Sequence, residues 1–242
     1  MMDSTAYLDN IRLNGAALVD AAESAGLDAS VPSCPEWTVA DLLGHVGRVH
    51  RWAAGNSVRA PDEGFWAGDE IEIPEPALRV GWVREGVAAL VVALDRPAET
   101  PAWTFVPPPV MGFWQRRQAH ETTMHRVDAQ LAAGAVDPIE PALATDGIDE
   151  LLWLLPRRPW ADPITGNGES MHLHCTDVEG EWIIRFAPDG LSVEREHAKG
   201  DVAVRGSASD LLLWCSGRGG VEALDVLGDA ALLAMFRRAT TF

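Results

Sequence analysis

The spacing of the apolar residues changes once along this chain, and that change limits the folds it can adopt. Up to about residue 134, apolar residues recur every three or four positions, as on one face of an α-helix. Beyond about residue 170 the period falls towards two, which is typical of strands with one buried face. A helical region followed by strands and further helices predicts an α + α+β protein with two domains.

The N-terminal pattern predicts four helices. They are expected at residues 5–26, 38–55, 80–94 and 112–134. Thr38 and Asp41 have the spacing of a capping box at a helix start, and Gly134 is suited to end the last helix. Four helices joined by short and long connections predict a four-helix bundle over residues 1–140. The proline-bearing segment Asp137–Pro141 is a candidate linker.

The C-terminal pattern predicts a small α+β domain over residues 141–242. A short helix is expected around residues 149–155, and Ser207 with Asp210 has capping-box spacing before an apolar run. A last helix is expected at residues 230–238. The predicted strands are at residues 171–176, 181–186, 191–196 and 201–204. Gly-containing turns separate them, as expected for antiparallel strands.

Charge and composition exclude several classes of function. The chain of 242 residues has 36 acidic and 19 basic residues, a net charge of −17, which argues against binding to nucleic acid or to an anionic membrane. No apolar run approaches the roughly 20 residues of a transmembrane helix, and the polar start does not resemble a signal peptide. We therefore expect a cytoplasmic protein. All basic residues except Lys199 are arginine, a coding bias that suggests a GC-rich genome.

The three cysteines do not form a recognisable site by themselves. Cys34, Cys175 and Cys215 are scattered, odd in number and without paired spacing. They predict neither a disulfide framework nor a thiolate zinc site.

A carboxylate and an imidazole on the fourth predicted helix are candidate metal ligands. Glu121 and His125 are four residues apart, so they lie one above the other on the same helix face. Such a pair can share a zinc ion at bond lengths of about 2.0–2.2 Å. The same spacing also occurs in ordinary ion pairs on solvated helices, so further donors are needed to distinguish the two interpretations.

The second predicted helix offers a third ligand. His45 and His50 both flank its apolar stripe, and periodicity alone does not choose between them. A lone histidine in such a position is commonly a hydrogen-bonded core residue. The choice is therefore open at the level of spacing.

Two segments carry a resemblance to a known family. They are CPEWTVADLLGH at residues 34–45 and HETTMHRVD at residues 120–128. Together they closely resemble the mycothiol-dependent maleylpyruvate isomerase family, within the wider DinB-like superfamily of metal-binding helical bundles. The segment from Asp201 to Asp229 is similar to the second domain of that family, a sterol-carrier-like α+β module. The resemblance thus spans nearly the whole chain.

This resemblance implies both the metal ligands and the chemistry. The implied ligands are His45, Glu121 and His125, holding Zn²⁺ or another divalent metal, and the implied cosubstrate is the thiol mycothiol, found in GC-rich actinobacteria. The expected activity adds the thiolate to a small electrophile, as in cis–trans isomerisation of maleylpyruvate; a thiol S-transferase would use the same residues. By position, Arg84 and Arg218 are our candidates for binding the substrate carboxylates.

Other interpretations stay open at this stage. A sterol-carrier-like domain could bind a lipid, and a bundle without chemistry could act through protein contacts. We expect the protein to be a monomer or homodimer. The complete ligand set favours the enzyme. Asp128 is predicted either to orient a metal ligand or to form a surface ion pair. His172 and His174 alternate on a predicted strand, and we interpret them as structural residues rather than as a second metal site.

Overall fold

The computed structural model describes residues 2–157 and 164–240. The chain divides into two compact units, Met1–Asp137 and Pro138–Phe242. The first unit is mainly helical, and the second combines helices with a mixed sheet, which confirms the predicted fold class. In the described part of the chain, no helix is both long and apolar enough to cross a membrane.

The first unit is built from four long helices. They are α1 (Ser4–Ala25), α2 (Val39–Ser57), α3 (Arg79–Leu94) and α4 (Met111–Ala133). Asp3 caps α1, and Thr38 and Asp41 form the expected capping box of α2. Gly134 ends α4 in the left-handed conformation that glycine adopts without strain. The helix α1 packs mainly against α4, and α2 mainly against α3.

Bulky indoles pack directly on the backbone of α2. A Cβ atom at Gly47 would lie 2.3 Å from the ring of Trp82 on α3, and one at Gly55 would lie 2.1 Å from the ring of Trp66. Trp66 belongs to the connection between α2 and α3, which the sequence indicates only as an irregular surface segment. The glycines therefore let this connection and α3 close tightly over α2.

A short hairpin precedes α2. Its strands are β1 (Ser30–Val31) and β2 (Cys34–Thr38), paired antiparallel. The sequence suggested only a loop here, because two prolines interrupt the alternation on which strand prediction depends. The hairpin places Ser33 at its turn, next to the end of β1.

The described residues of the second unit form three α-helices and a five-stranded sheet. The helices are α5 (Pro141–Leu154), α6 (Ala208–Cys215) and α7 (Ala231–Thr240). The strands are β3 (Glu169–Cys175), β4 (Glu181–Ala187), β5 (Gly190–Glu194), β6 (Val202–Gly206) and β7 (Asp225–Gly228). The order is β5-β4-β3-β6-β7, with only β3 and β6 parallel.

Two elements of this unit differ from the sequence-based expectation. Helix α5 begins at Pro141, eight residues earlier than expected, because Glu140 caps it and proline is well suited to the first helical turn. Strand β7 was not expected at all. It is a mostly exposed edge strand without alternating burial, so its sequence carries no strand pattern.

The sheet separates apolar from polar residues by alternation. On β3, Met171 and Leu173 face the core together with Trp182 and Ile184 of β4, and all four are fully buried or nearly so. The intervening residues of β3 lie on the other face. That face holds His172 and His174, among other polar residues.

Candidate metal centre

Three potential metal ligands from two helices meet in the first unit. His45 lies on α2, and Glu121 and His125 lie one turn apart on α4. Their donor atoms are all within 4.8 Å of one another. The Nε2 atom of His125 is 3.1 Å from Glu121 Oε1, and the ring centroids of His45 and His125 are 5.0 Å apart. The sequence spacing accounts for the pair on α4, whereas the packing of α2 against α4 adds His45.

His50, the alternative left open by periodicity, lies outside this group. It is buried, and its Nε2 atom is 3.1 Å from the hydroxyl oxygen of Thr122. Burial lowers its pKa to about 3, so the ring is neutral. Five residues correspond to about 140° around a helix, so His45 and His50 cannot both point at Glu121.

Asp128 is the partner of His125 on the side away from Glu121. It is fully buried, which excludes a surface ion pair, and its Oδ2 atom is 2.9 Å from His125 Nδ1. Its other oxygen accepts a hydrogen bond of 2.5 Å from the hydroxyl of Ser33 in the hairpin turn. A carboxylate on one imidazole nitrogen fixes the ring and directs the other nitrogen towards a metal.

The electrostatics of the group favour a charged pair when no metal is bound. Burial alone would lower the pKa of His125, but the hydrogen bonds with Asp128 and Glu121 outweigh it and raise the pKa to about 9. Burial opposes ionisation of Glu121, yet His125 and Arg117 keep its pKa below the usual range. Burial and the charge of His125 lower the pKa of His45 to about 4.

The donor set and its spacing fit a divalent metal ion. Two ligands on one tetrahedral zinc ion, at bond lengths of about 2.1 Å, are about 3.4 Å apart. The 3.1 Å between His125 Nε2 and Glu121 Oε1 is close to that separation. Two imidazoles and one carboxylate are ligands that zinc and related metals accept. The arrangement can therefore hold a metal with little movement of the side chains.

Comparison with protein families is consistent with this geometry. Residues 8–130 match the model described as the mycothiol maleylpyruvate isomerase N-terminal domain. Residues 142–235 match the model of the C-terminal domain of the same family, abbreviated MDMPI. The chain belongs to the mycothiol maleylpyruvate isomerase family. The resemblance identified from the two sequence segments is thereby confirmed.

Solved structures of this family share the fold. A crystal structure of the mycothiol-dependent maleylpyruvate isomerase has 17% sequence identity and a TM-score of 0.62, and the match covers 93% of each chain. A histidine-to-alanine variant of that isomerase gives a TM-score of 0.63 at the same identity and coverage. A comparison with curated proteins found no match.

The two arginines predicted to bind substrate are not part of this donor group. Arg84 is on α3 and forms a 2.7 Å ion pair with Glu23 of α1, with both side chains about half exposed. Arg218 belongs to the second unit, where it follows α6 and donates a hydrogen bond to the carbonyl of Ser216. Contact of either arginine with substrate remains a prediction.

The structure adds residues that the sequence did not single out. Arg117 donates to Glu121 Oε2 at 3.1 Å, and the ring of Trp37 lies 4.9 Å from that of His45. The spacing of Arg117 and Glu121, four residues apart on one helix, was a usable signal for that contact. The roles of Trp37 and Ser33 had no such signal, because the hairpin that positions them was not predicted.

Proposed function

We propose that this protein is a metal-dependent, mycothiol-using enzyme that adds a thiolate to a small electrophile, with maleylpyruvate cis–trans isomerisation as the first candidate reaction. The observation that carries the proposal is the convergence of His45, Glu121 and His125 within a chain of this family. A lipid carrier or a bundle without chemistry would not need these three donors together.

The ligand count favours a catalytic site over a structural one. Three protein ligands leave one position of a four-coordinate metal free for a substrate atom. A divalent metal, with zinc as our first candidate, supplies the positive charge that stabilises a bound thiol as the thiolate at neutral pH. His45 and His125 would hold it as neutral imidazoles, and Glu121 as a carboxylate.

The surrounding residues prepare these ligands. Asp128 accepts a hydrogen bond from His125 Nδ1 and thereby leaves the lone pair of Nε2 available to bind the metal. Arg117 contacts the second oxygen of Glu121, which keeps the carboxylate ionised and orients it. The ring of Trp37 covers one side of His45 and limits its rotation.

Two of the three cysteines are poor candidates for the nucleophile. Cys175 and Cys215 are buried, and burial raises the pKa of Cys175 to about 11 and that of Cys215 further. A thiol with such a pKa is protonated at neutral pH and therefore unreactive. This supports a thiol that arrives as a cosubstrate.

The reaction itself needs no oxidant or reductant. The thiolate sulfur bonds to one carbon of the cis double bond, and the electron pair of that double bond passes to the conjugated carbonyl. Rotation about the resulting single bond and expulsion of the same thiolate give the trans product. Arg84 and Arg218 are our candidates for holding the substrate carboxylates during this rotation, for which bidentate guanidinium contacts are well suited.

The first experiment is elemental analysis of the purified protein and three variants. We expect His45→Ala and His125→Ala each to hold about one metal ion fewer per chain than the wild type, and His50→Ala to hold as many as the wild type. The last is a matched control, since His50 lies on the same helix outside the donor group. A wild type that stays free of metal at these residues after incubation with zinc would refute the proposal.

The second experiment tests the reaction. Metal-loaded protein is incubated with mycothiol and maleylpyruvate, and the product is separated by chromatography. Formation of the trans isomer with mycothiol recovered unchanged supports the isomerase. Accumulation of a stable thiol adduct would indicate an S-transferase instead. Activity that persists in His125→Ala would exclude a mechanism that depends on a metal at this site.

A further inference from the structure

A second group of potential metal ligands lies in the C-terminal unit. His172 and His174 are on β3, Glu181 is on β4, and His197 is in the segment between β5 and β6. One donor atom of each lies within 4.8 Å of the donor atoms of the others. The group shares no residue with the candidate centre on α2 and α4.

The sheet itself brings three of these residues together. His172 and His174 are two residues apart on one strand, so their side chains leave the same face. Glu181 is directly opposite His174 in the antiparallel register, at a distance of 2.7 Å between Glu181 Oε1 and His174 Nδ1. Glu181 is also the diagonal neighbour of His172, which a long side chain can reach.

The fourth residue comes from the segment after β5. The Nδ1 atom of His197 is 2.5 Å from Glu181 Oε2, and its ring centroid is 5.5 Å from that of His172. The side chain of His197 is 82% exposed, so burial does not hold it in this position. It contacts Glu181 and His172 of the group, while the preceding residues of the segment form ion pairs with Asp149 and Arg185.

His172 places a buried ring nitrogen without a hydrogen bond at the centre of the group. Its side chain is 9% exposed, and its Nε2 atom has no hydrogen-bond partner among the residues that the structure describes. A buried polar atom without a partner is unfavourable, and a metal ion at this position would satisfy it. That atom is 3.4 Å from Glu181 Oε2, which matches the separation of about 3.4 Å between two ligands of one tetrahedral zinc ion.

We propose that His172, His174, Glu181 and His197 form a second site for a divalent transition metal, of the zinc or copper class. A set of three imidazoles and one carboxylate binds zinc or copper in preference to magnesium or calcium. Four protein ligands complete a tetrahedral shell, which is the pattern of a structural site without an open position. The ion would tie the segment that carries His197 to the sheet.

This proposal revises the interpretation drawn from sequence. His172 and His174 alone gave two donors on a strand, too few to indicate a site. Glu181 and His197 complete the group only through strand pairing and through the course of the chain after β5. The proposal does not rest on the function proposed for the first unit.

Zinc stoichiometry tests the second site separately from the first. The full chain is stripped with a chelator, titrated with Zn²⁺ and analysed by calorimetry and elemental analysis, in a His125→Ala background that disables the first site. We expect one equivalent of zinc in this background. Adding His197→Ala should weaken binding at least ~10-fold, because even the loss of a hydrogen-bond partner behind a ligand weakens binding 10–100-fold.

A matched control uses a neighbouring exposed carboxylate outside the group. Glu196→Gln changes the charge of the same segment and should keep the bound zinc. His197→Ala is suited to the test because the side chain is exposed, so the variant should fold, which circular dichroism checks. Absence of zinc binding in the His125→Ala background, or equal affinity with and without His197, would overturn the proposal.

A protease provides an independent measurement of the same site. Lys199, the only lysine of the chain, is exposed and lies two residues after His197. A lysyl endopeptidase can therefore cut the native protein only there, giving fragments 1–199 and 200–242. We expect Zn²⁺ to slow this cleavage in the His125→Ala background and to have no effect once His197→Ala is added. Equal cleavage rates with and without Zn²⁺ in the His125→Ala protein would show that no ion holds the segment.

Discussion

Asp128 should control the metal affinity of the first unit without being a ligand. Its carboxylate accepts from His125 Nδ1 at 2.9 Å and from Ser33 at 2.5 Å, and it is fully buried. Asp128→Asn removes the charge but keeps an oxygen that can accept from His125, whereas Asp128→Ala removes both.

The size of the effect follows from these contacts. Losing a carboxylate behind a metal-binding histidine weakens metal affinity about 10–100-fold, or about 1.4–2.8 kcal/mol. We expect Asp128→Asn near the lower limit and Asp128→Ala near the upper one. In the metal-free protein, Asp128→Ala should also destabilise the fold by about 1–3 kcal/mol, since it leaves the buried Nδ1 atom of His125 without its partner.

The assay is competition for zinc against a chelator of known affinity, at fixed pH, with unfolding in urea measured in parallel. Asp137→Asn is the matched control. Asp137 also accepts a side-chain hydrogen bond from α4, through Gln130 at 2.7 Å, but it is not part of the donor group. If Asp128→Ala bound zinc as tightly as the wild type while folding normally, the role assigned to Asp128 would be wrong.

Three further predictions concern titration, exposure and substrate binding. The pKa of His125 is raised to about 9, so its ion pair stabilises the metal-free protein fully below about pH 6.5 and loses that contribution as the pH rises through about 9. Urea unfolding across this range should show the loss of stability in the wild type, and the His125→Ala variant should not show it. A thiol reagent should label only Cys34 in the native chain and all three cysteines after denaturation, because the other two are buried. Arg84→Ala should lower the free energy of unfolding by less than about 1 kcal/mol, since its pair with Glu23 is exposed. If Arg84 contacts the substrate as predicted, the same variant should raise the KM for maleylpyruvate about tenfold.

The sequence was most informative where structure depends on neighbouring residues. The capping box of Thr38 and Asp41, the glycine end of α4 and the pairing of Glu121 with His125 all depend on spacings of three to five residues. Backbone geometry fixes which side chains share a face over such distances. Strand β7 and the hairpin before α2 were not predicted, because they are defined by their pairing partners and not by a local spacing of residues.

Residue spacing alone did not give the composition of either donor group. Periodicity allowed either His45 or His50 to face the bundle interior, and the contact between α2 and α4 places His45 beside Glu121. Asp128 was consistent with a surface pair until packing placed it in the interior. His172 and His174 were assigned to one strand face from the sequence, but strand register was needed to add the opposing carboxylate.

The difference has a simple physical origin. A helix or strand fixes the direction of each side chain through its own repeat, so residues close in sequence reveal which of them share a face. Which faces then meet depends on the packing of segments that are distant in sequence, and no local spacing encodes it. The sequence by itself therefore determined the fold class and the donor pair on α4. The family resemblance already named His45 as the partner of that pair, whereas only the tertiary structure decided which residues complete the second group.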